Sequence, residues 1–154
     1  MPETELCAQI RPLRGAILQT FKDEVARLAL MPNLPAPLLI DDFDVLLDRL
    51  CRRLNGVPAD TEEPAVRHAR VRWENRVDIA AVVREYGVLA NAIVATLARA
   101  GVTVAPEAQL TIATTVSEAA ATSVRQYVAF RDSQYAAQYE VLRKAEAVRD
   151  SLLM

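Results

Sequence analysis

From Pro106 to Met154 the chain runs for nearly fifty residues without a further proline or a single glycine. Those two residues are the usual helix breakers, so the whole stretch is free to form one helix. At 1.5 Å per residue it would reach roughly 70 Å, well beyond an ordinary bundle helix. A chain of 154 residues makes one domain rather than two. A helix of that length must therefore outrun the body that the remaining residues build.

Those remaining residues are cut by proline and glycine into four more helical segments. The first is expected from about Glu3 to Leu30, with Pro12 as a kink or break and Ile17, Phe21, Val25 and Leu28 as its apolar stripe. Pro32, Pro35 and Pro37 end it. Pro37 opens the second segment, with Leu39, Phe43, Leu46, Leu47, Leu50 and Leu54 on one side and Asp41, Asp44 and Asp48 on the other, closed by Gly56 and Pro58. The third starts near Thr61 with Pro64 in its first turn and carries His68 and Trp73. Asp78 caps the fourth, where Ile79, Val82, Val83, Tyr86, Leu89, Ile93 and Leu97 keep the 3–4 spacing up to Gly101. The fold expected is all-α, a four- to five-helix bundle over residues 1–135. Residues 136–154 form a coiled-coil lead-out.

The long segment changes character along its length. Leu110, Ala113, Val116, Ala120, Val124 and Tyr127 give a small-residue stripe suited to packing inside the bundle. Beyond Phe130 the apolar positions thin to Val141, Ala145, Val148 and Leu152, spaced 4-3-4 as in a heptad seam. Each such side chain left in water forgoes about 1.5–3 kcal/mol of burial. A parallel partner chain is the expected cover, which makes the protein a homodimer through this helix.

Chemistry-bearing patterns are scarce. A net charge of −2 gives no footprint for nucleic acid. Arg67, Arg70, Arg72 and Arg76 are interleaved with acids and read as a solvated face. So does the run Asp41, Asp42, Asp44 and Asp48, which lacks the glycine turn of a calcium loop. Cys7 and Cys51 have no metal or disulfide spacing and read as buried hydrophobes. No secretory leader or membrane span is expected, since the best apolar run, Val88 to Leu97, is short, so the location expected is cytoplasmic. His68 is the sole histidine. It reads as hydrogen-bonded or solvent-facing rather than as a haem ligand or a member of a catalytic triad. Tyr86 is expected buried with its hydroxyl satisfied, and Arg84 and Glu85 nearer the surface. No catalytic, cofactor-binding or metal-binding residue is assigned.

Two stretches carry a family resemblance. His68-Ala69-Arg70, followed by Val83-Arg84-Glu85-Tyr86, Leu89 and Ile93, resembles the RsbRD-like N-terminal helical domain of stressosome RsbT co-antagonists, also found at the front of bacterial sensor histidine kinases. The resemblance covers roughly residues 15 to 135 and departs at Gly87, where the family carries a larger residue. Glu146 to Met154 is similar to the lead-in of a histidine kinase phosphoacceptor box, and the chain stops short of that box. The resemblance implies an N-terminal sensory or dimerising fragment of a larger two-component kinase, itself without the phosphoacceptor or ATP-binding parts. The alternatives are a stand-alone stressosome-like adaptor for a partner protein and a small-molecule or haem-sensing bundle.

Overall fold

The computed structural model describes residues 5–153, so the expected helix start at Glu3 and the final Met154 lie outside the described residues. Five helices follow in order: α1 (Glu5–Arg27), α2 (Ala36–Leu54), α3 (Glu62–Glu74), α4 (Ile79–Arg99) and α5 (Pro106–Leu153). No strand occurs among the described residues. Helices α1, α3 and α5 run one way and α2 and α4 the other. Arg14 of α1 reaches Asp44 of α2, Arg99 of α4 reaches Thr20 of α1, and His68 of α3 reaches Ser123 of α5. The neighbours close a ring, α1–α2–α3–α5–α4 and back to α1.

Local chemistry sets most of the boundaries. Gly56 and Gly101 take positive φ of 76° and 72° just past α2 and α4. Each end is a Schellman turn: Val57 N–H donates to Arg52 O, and Val102 N–H to Leu97 O. The same turn ends α1 at Ala29 (φ 52°) and α3 at Arg76 (φ 57°). There a side chain sits in a conformation that costs about 1–2 kcal/mol outside glycine. Helix α1 therefore stops at Arg27, before Leu30, and its end is not set by the prolines. Pro12 lies inside α1, with no break there. Asp78 stands at the N-cap position of α4 in extended backbone but makes no side-chain capping bond.

The core is the expected one on α1 and α2: Ile17, Phe21, Val25, Phe43, Leu46, Leu47 and Leu50 are all buried. Cys7 and Cys51 are buried with them. Two stripes differ from expectation. On α4, Val83 is 50% exposed, and the buried face runs Val82, Glu85, Tyr86, Leu89, Ile93 and Leu97. On α5, Leu110 and Ala113 are exposed, and the packed positions are Ile112, Thr115, Val116, Ala119, Ser123 and Tyr127. Small and hydroxyl side chains there let α3 and α4 approach closely. Helix α4 is the one described helix long and apolar enough to cross a membrane, and 44% of that apolar window is buried against the bundle.

The Tyr127 hydroxyl donates to Val77 O at 2.6 Å, tying α5 to the α3–α4 turn where it leaves the body. From Asp132 to Leu153 every residue is exposed. The expected overshoot is present.

Candidate functional site

The most concentrated chemistry in the protein is a polar network in the middle of the bundle. Arg72 and Glu85 are fully buried, His68 is 1% exposed and Ser123 is fully buried. These positions contribute from three helices, α3, α4 and α5, and α2 closes the fourth side. Arg72 arrives one turn after His68 on the inner face of α3. Glu85 arrives on the inner face of α4, within the apolar repeat of Val82, Tyr86 and Leu89.

Arg72 donates through Nε to the Glu85 carboxylate at 3.0 Å and through Nη2 to Glu85 Oε1 in a short bond. Its remaining donors serve the first turn of α2, with Nη1 to Leu38 O at 2.9 Å and Nη2 to Leu39 O at 3.1 Å. Those carbonyls are thereby held by a charged donor. His68 Nε2 lies 3.0 Å from Glu85 Oε2 and Nδ1 lies 2.9 Å from Ser123 Oγ. A carboxylate only accepts, so Nε2 carries the proton; in the neutral ring Nδ1 then accepts from the Ser123 hydroxyl. Ser123 is also hydrogen-bonded to the Tyr86 hydroxyl, whose pKa burial pushes well above the usual phenol range. One chain of hydrogen bonds thus runs Tyr86–Ser123–His68–Glu85–Arg72.

Aromatic packing locks the imidazole. Phe43 stacks on it at 4.8 Å with a 25° interplanar angle, and Tyr86 meets it edge-on at 4.8 Å. Phe43 also packs edge-on to Phe21 and to Tyr86. Beside the cluster, Asp42 is 7% exposed and lies 3.8 Å from Arg67.

Burial pushes the Glu85 carboxyl up, but His68 and Arg72 outweigh it and hold the group below its ordinary value. A depressed carboxyl stabilises the folded state above its unfolded value, near 4.5, and that contribution is lost as the pH falls. Burial raises Asp42, partly countered by His68, Arg67 and Arg72. Its sign is opposite: it favours folding below its unfolded value, near 3.8, and loses that contribution as the pH rises. Urea denaturation carried from neutral pH down through this window should show stability falling on the acid side. In Asp42→Asn the fall should be steeper, because the opposing contribution is gone. A flat profile would contradict the assignment.

Three expectations are corrected here. Arg72 does not belong to a solvated arginine face, Asp42 does not lie on a solvated acidic face, and Glu85 is not near the surface. Arg72 and Glu85 are buried because each is the other's complementary partner inside the bundle, whereas Asp42 is buried beside them with only the exposed Arg67 as an ion-pair partner, 3.8 Å away. Tyr86 is buried with its hydroxyl satisfied, as expected. His68 is hydrogen-bonded, and with both ring nitrogens engaged it offers no lone pair to a haem iron. Ser123, His68 and Glu85 superficially suggest an acyl-transfer triad. However, the serine is sealed mid-helix, and Arg72 already neutralises the carboxylate, so no external substrate reaches the hydroxyl. No group of three or more metal-ligating side chains occurs among the described residues.

The seam residues lie elsewhere. Val141, Val148 and Leu152 are 67%, 61% and 82% exposed, and Ala145 is exposed between them. They are about 20–40 Å along α5 from Tyr127, so the structure keeps network and seam apart, joined only by α5. No family model matches this chain, and neither a curated protein nor a solved structure shows significant similarity to it.

Proposed function

We propose that this chain is the N-terminal sensory and dimerising input domain of a bacterial two-component sensor histidine kinase, with α5 as its output. The observation that carries this reading is the apolar edge of α5, solvent-exposed from Val141 to Leu152 on a helix that has left its bundle. A monomer gains nothing from it. A module that pairs with, or hands a helix to, a further domain does. The resemblance around His68 and Glu85 supports the same reading, because those residues are the ones buried in the network. Ser123 and Tyr127 sit on α5 itself, so a change in how the network or the α3–α4 turn is packed acts on the output helix directly. Such a bias needs only a signal that distinguishes two packings. The stand-alone adaptor reading uses the same surface and differs in the partner to which α5 delivers the change.

Two measurements test it. Removing residues 136–154 is expected to leave the melting temperature within a few degrees, since this segment is exposed throughout, and to abolish self-association in sedimentation. Fused ahead of a histidine kinase core, the full domain should change autophosphorylation when Val148→Lys is introduced. An unchanged rate, with the bundle intact by circular dichroism, would sink the relay.

A further inference from the structure

Helices α4 and α5 pack side by side and share an outward face built from two uncharged lines. On α4, Val83, Gly87 and Val94 are exposed and Ala90 is half-buried, at 4-3-4 spacing. Next to it on α5 run Leu110, Ala113, Ser117, Ala120 and Val124, at 3-4-3-4. Val94 is 58% exposed and Leu110 68%. A groove of about 280 Å³ opens between the two helices, with Ala90, Val94, Ile112 and Ala113 among its walls. Leu110 stands at the height of that groove, between the lining residues Gln109 and Ala113, but projects outside it.

This face and the lead-out seam belong to one heptad register. Stepping on from Val124 by three and four in alternation passes Tyr127, Arg131, Gln134 and Gln138, then lands on Val141, Ala145, Val148 and Leu152. Ala145, Val148 and Leu152 therefore hold the same heptad positions as Leu110, Ala113 and Ser117, five heptads earlier. On a straight helix such a line turns about 20° per heptad, so over five heptads it moves from the outward face of the body to the side in line with the core stripe. A left-handed winding of two parallel helices cancels that turn. The four residues in between are the weak stretch, since Tyr127 is taken up by its own bundle and the other three are polar.

We infer that the face shared by α4 and α5 is the body half of a parallel dimer interface with a second copy of this chain, continuous with the seam on the lead-out. It rests on the dimerising half of the proposed function and extends the contact from α5 alone to the bundle. The occupant follows from the symmetry of the features. A two-fold axis along α5 brings equal heights together, so each Leu110 meets the groove of the other copy. An uncharged face also meets its own copy without repulsion. Both chains then run in one direction, as a helix that leads into a further domain requires. Each half is small, so stable pairing needs both.

Sedimentation and disulfide trapping of the full chain test this. Val94→Glu and Leu110→Glu, both at exposed positions, should leave the circular dichroism unchanged and raise the dimer dissociation constant about tenfold or more. Leu38→Glu, on the exposed side of α2, should keep it within about twofold. Ala113→Cys and Val148→Cys, each alone, should give a cross-linked dimer under mild oxidation, because both stand at position d and meet their own copy. The unsubstituted protein, with Cys7 and Cys51 buried, is the blank. Arg149→Glu should tighten the dimer about fivefold, since Arg149 at e faces the Lys144 at g of the other copy. Trapping at Val148 with none at Ala113, and full association of Leu110→Glu, would overturn the body half and leave the lead-out dimer standing. A dimer trapped at neither position would overturn the parallel orientation. A monomer at every concentration of the unsubstituted chain would overturn this interface and the dimerising reading together.

Discussion

Glu85→Ala is expected to cost about 3–5 kcal/mol, which removes much of the stability of a domain whose total is about 5–15 kcal/mol. The loss comes from the charge left behind. Arg72 is fully buried and cannot turn its guanidinium to water, because its other donors are fixed on Leu38 O and Leu39 O. Without Glu85 its charge has no counter-ion, and His68 loses the acceptor for Nε2. Urea denaturation at neutral pH should show the midpoint fall sharply with little change in slope. Glu85→Gln keeps the shape and one acceptor oxygen but not the charge, and should fall between. The informative comparison is Arg72→Met with Glu85→Leu. Replacing a buried pair by apolar residues of similar volume is often neutral or better, so the double variant should be far more stable than Glu85→Ala. If both lose equally, the Arg72–Glu85 pair is not what Glu85→Ala breaks.

That contrast gives the network a meaning beyond stability. A buried ion pair is a poor way to stabilise a bundle, since its desolvation offsets most of its attraction. It is, however, a demanding way to fix geometry. Arg72 is satisfied only when α2, α3 and α4 stand in one register, and Ser123 brings α5 into the same arrangement. An apolar core of Ala, Val and Leu tolerates sliding; a five-member hydrogen-bond chain does not. For a domain proposed to transmit a packing change through α5, an all-or-none lock at the centre suits the task.

How much of this was legible in the residues alone depends on the kind of signal each feature leaves. The five helices, the glycine stops at Gly56 and Gly101, and the protruding last helix are written in local composition, and the structure has them all. The ends of α1 and α3 are not legible, because Ala29 and Arg76 adopt the left-handed conformation with no glycine to announce it. The packed stripe of α5 is hard to read for a related reason: alanine, threonine and serine occupy most sides of that helix, so Leu110 marks the core by type while Ser123, which is buried, does not. The network was hidden by a default that charges face water. The spacing did contain a clue. Glu85 falls inside the apolar repeat of α4, and Arg72 one turn from His68 falls beside Ala65 and Ala69, which are also buried. A charge in phase with a core stripe, on each of two helices, is the pattern of a pair that meets inside.

Phe43→Ala should be comparably damaging, about 3–5 kcal/mol, through a different mechanism. Phe43 is 1% exposed and touches Phe21, His68 and Tyr86, which come from α1, α3 and α4. Truncation leaves a ring-sized cavity between these helices and uncovers one face of the imidazole. The ring beside it is polar, so the space can admit water, and water next to His68 weakens the low-dielectric setting that makes Glu85 matter. The two substitutions should therefore couple. Glu85→Ala made in the Phe43→Ala background is expected to cost less than it does alone, with an interaction energy in the range of about 0.5–3 kcal/mol for residues sharing one network. Because the doubly substituted protein sits near its unfolding limit, the cycle is best measured with Glu85→Gln and Phe43→Leu, which perturb the same contacts more gently. Strict additivity there would mean that Phe43 only fills space, and that the stack on His68 has no part in holding the charged network together.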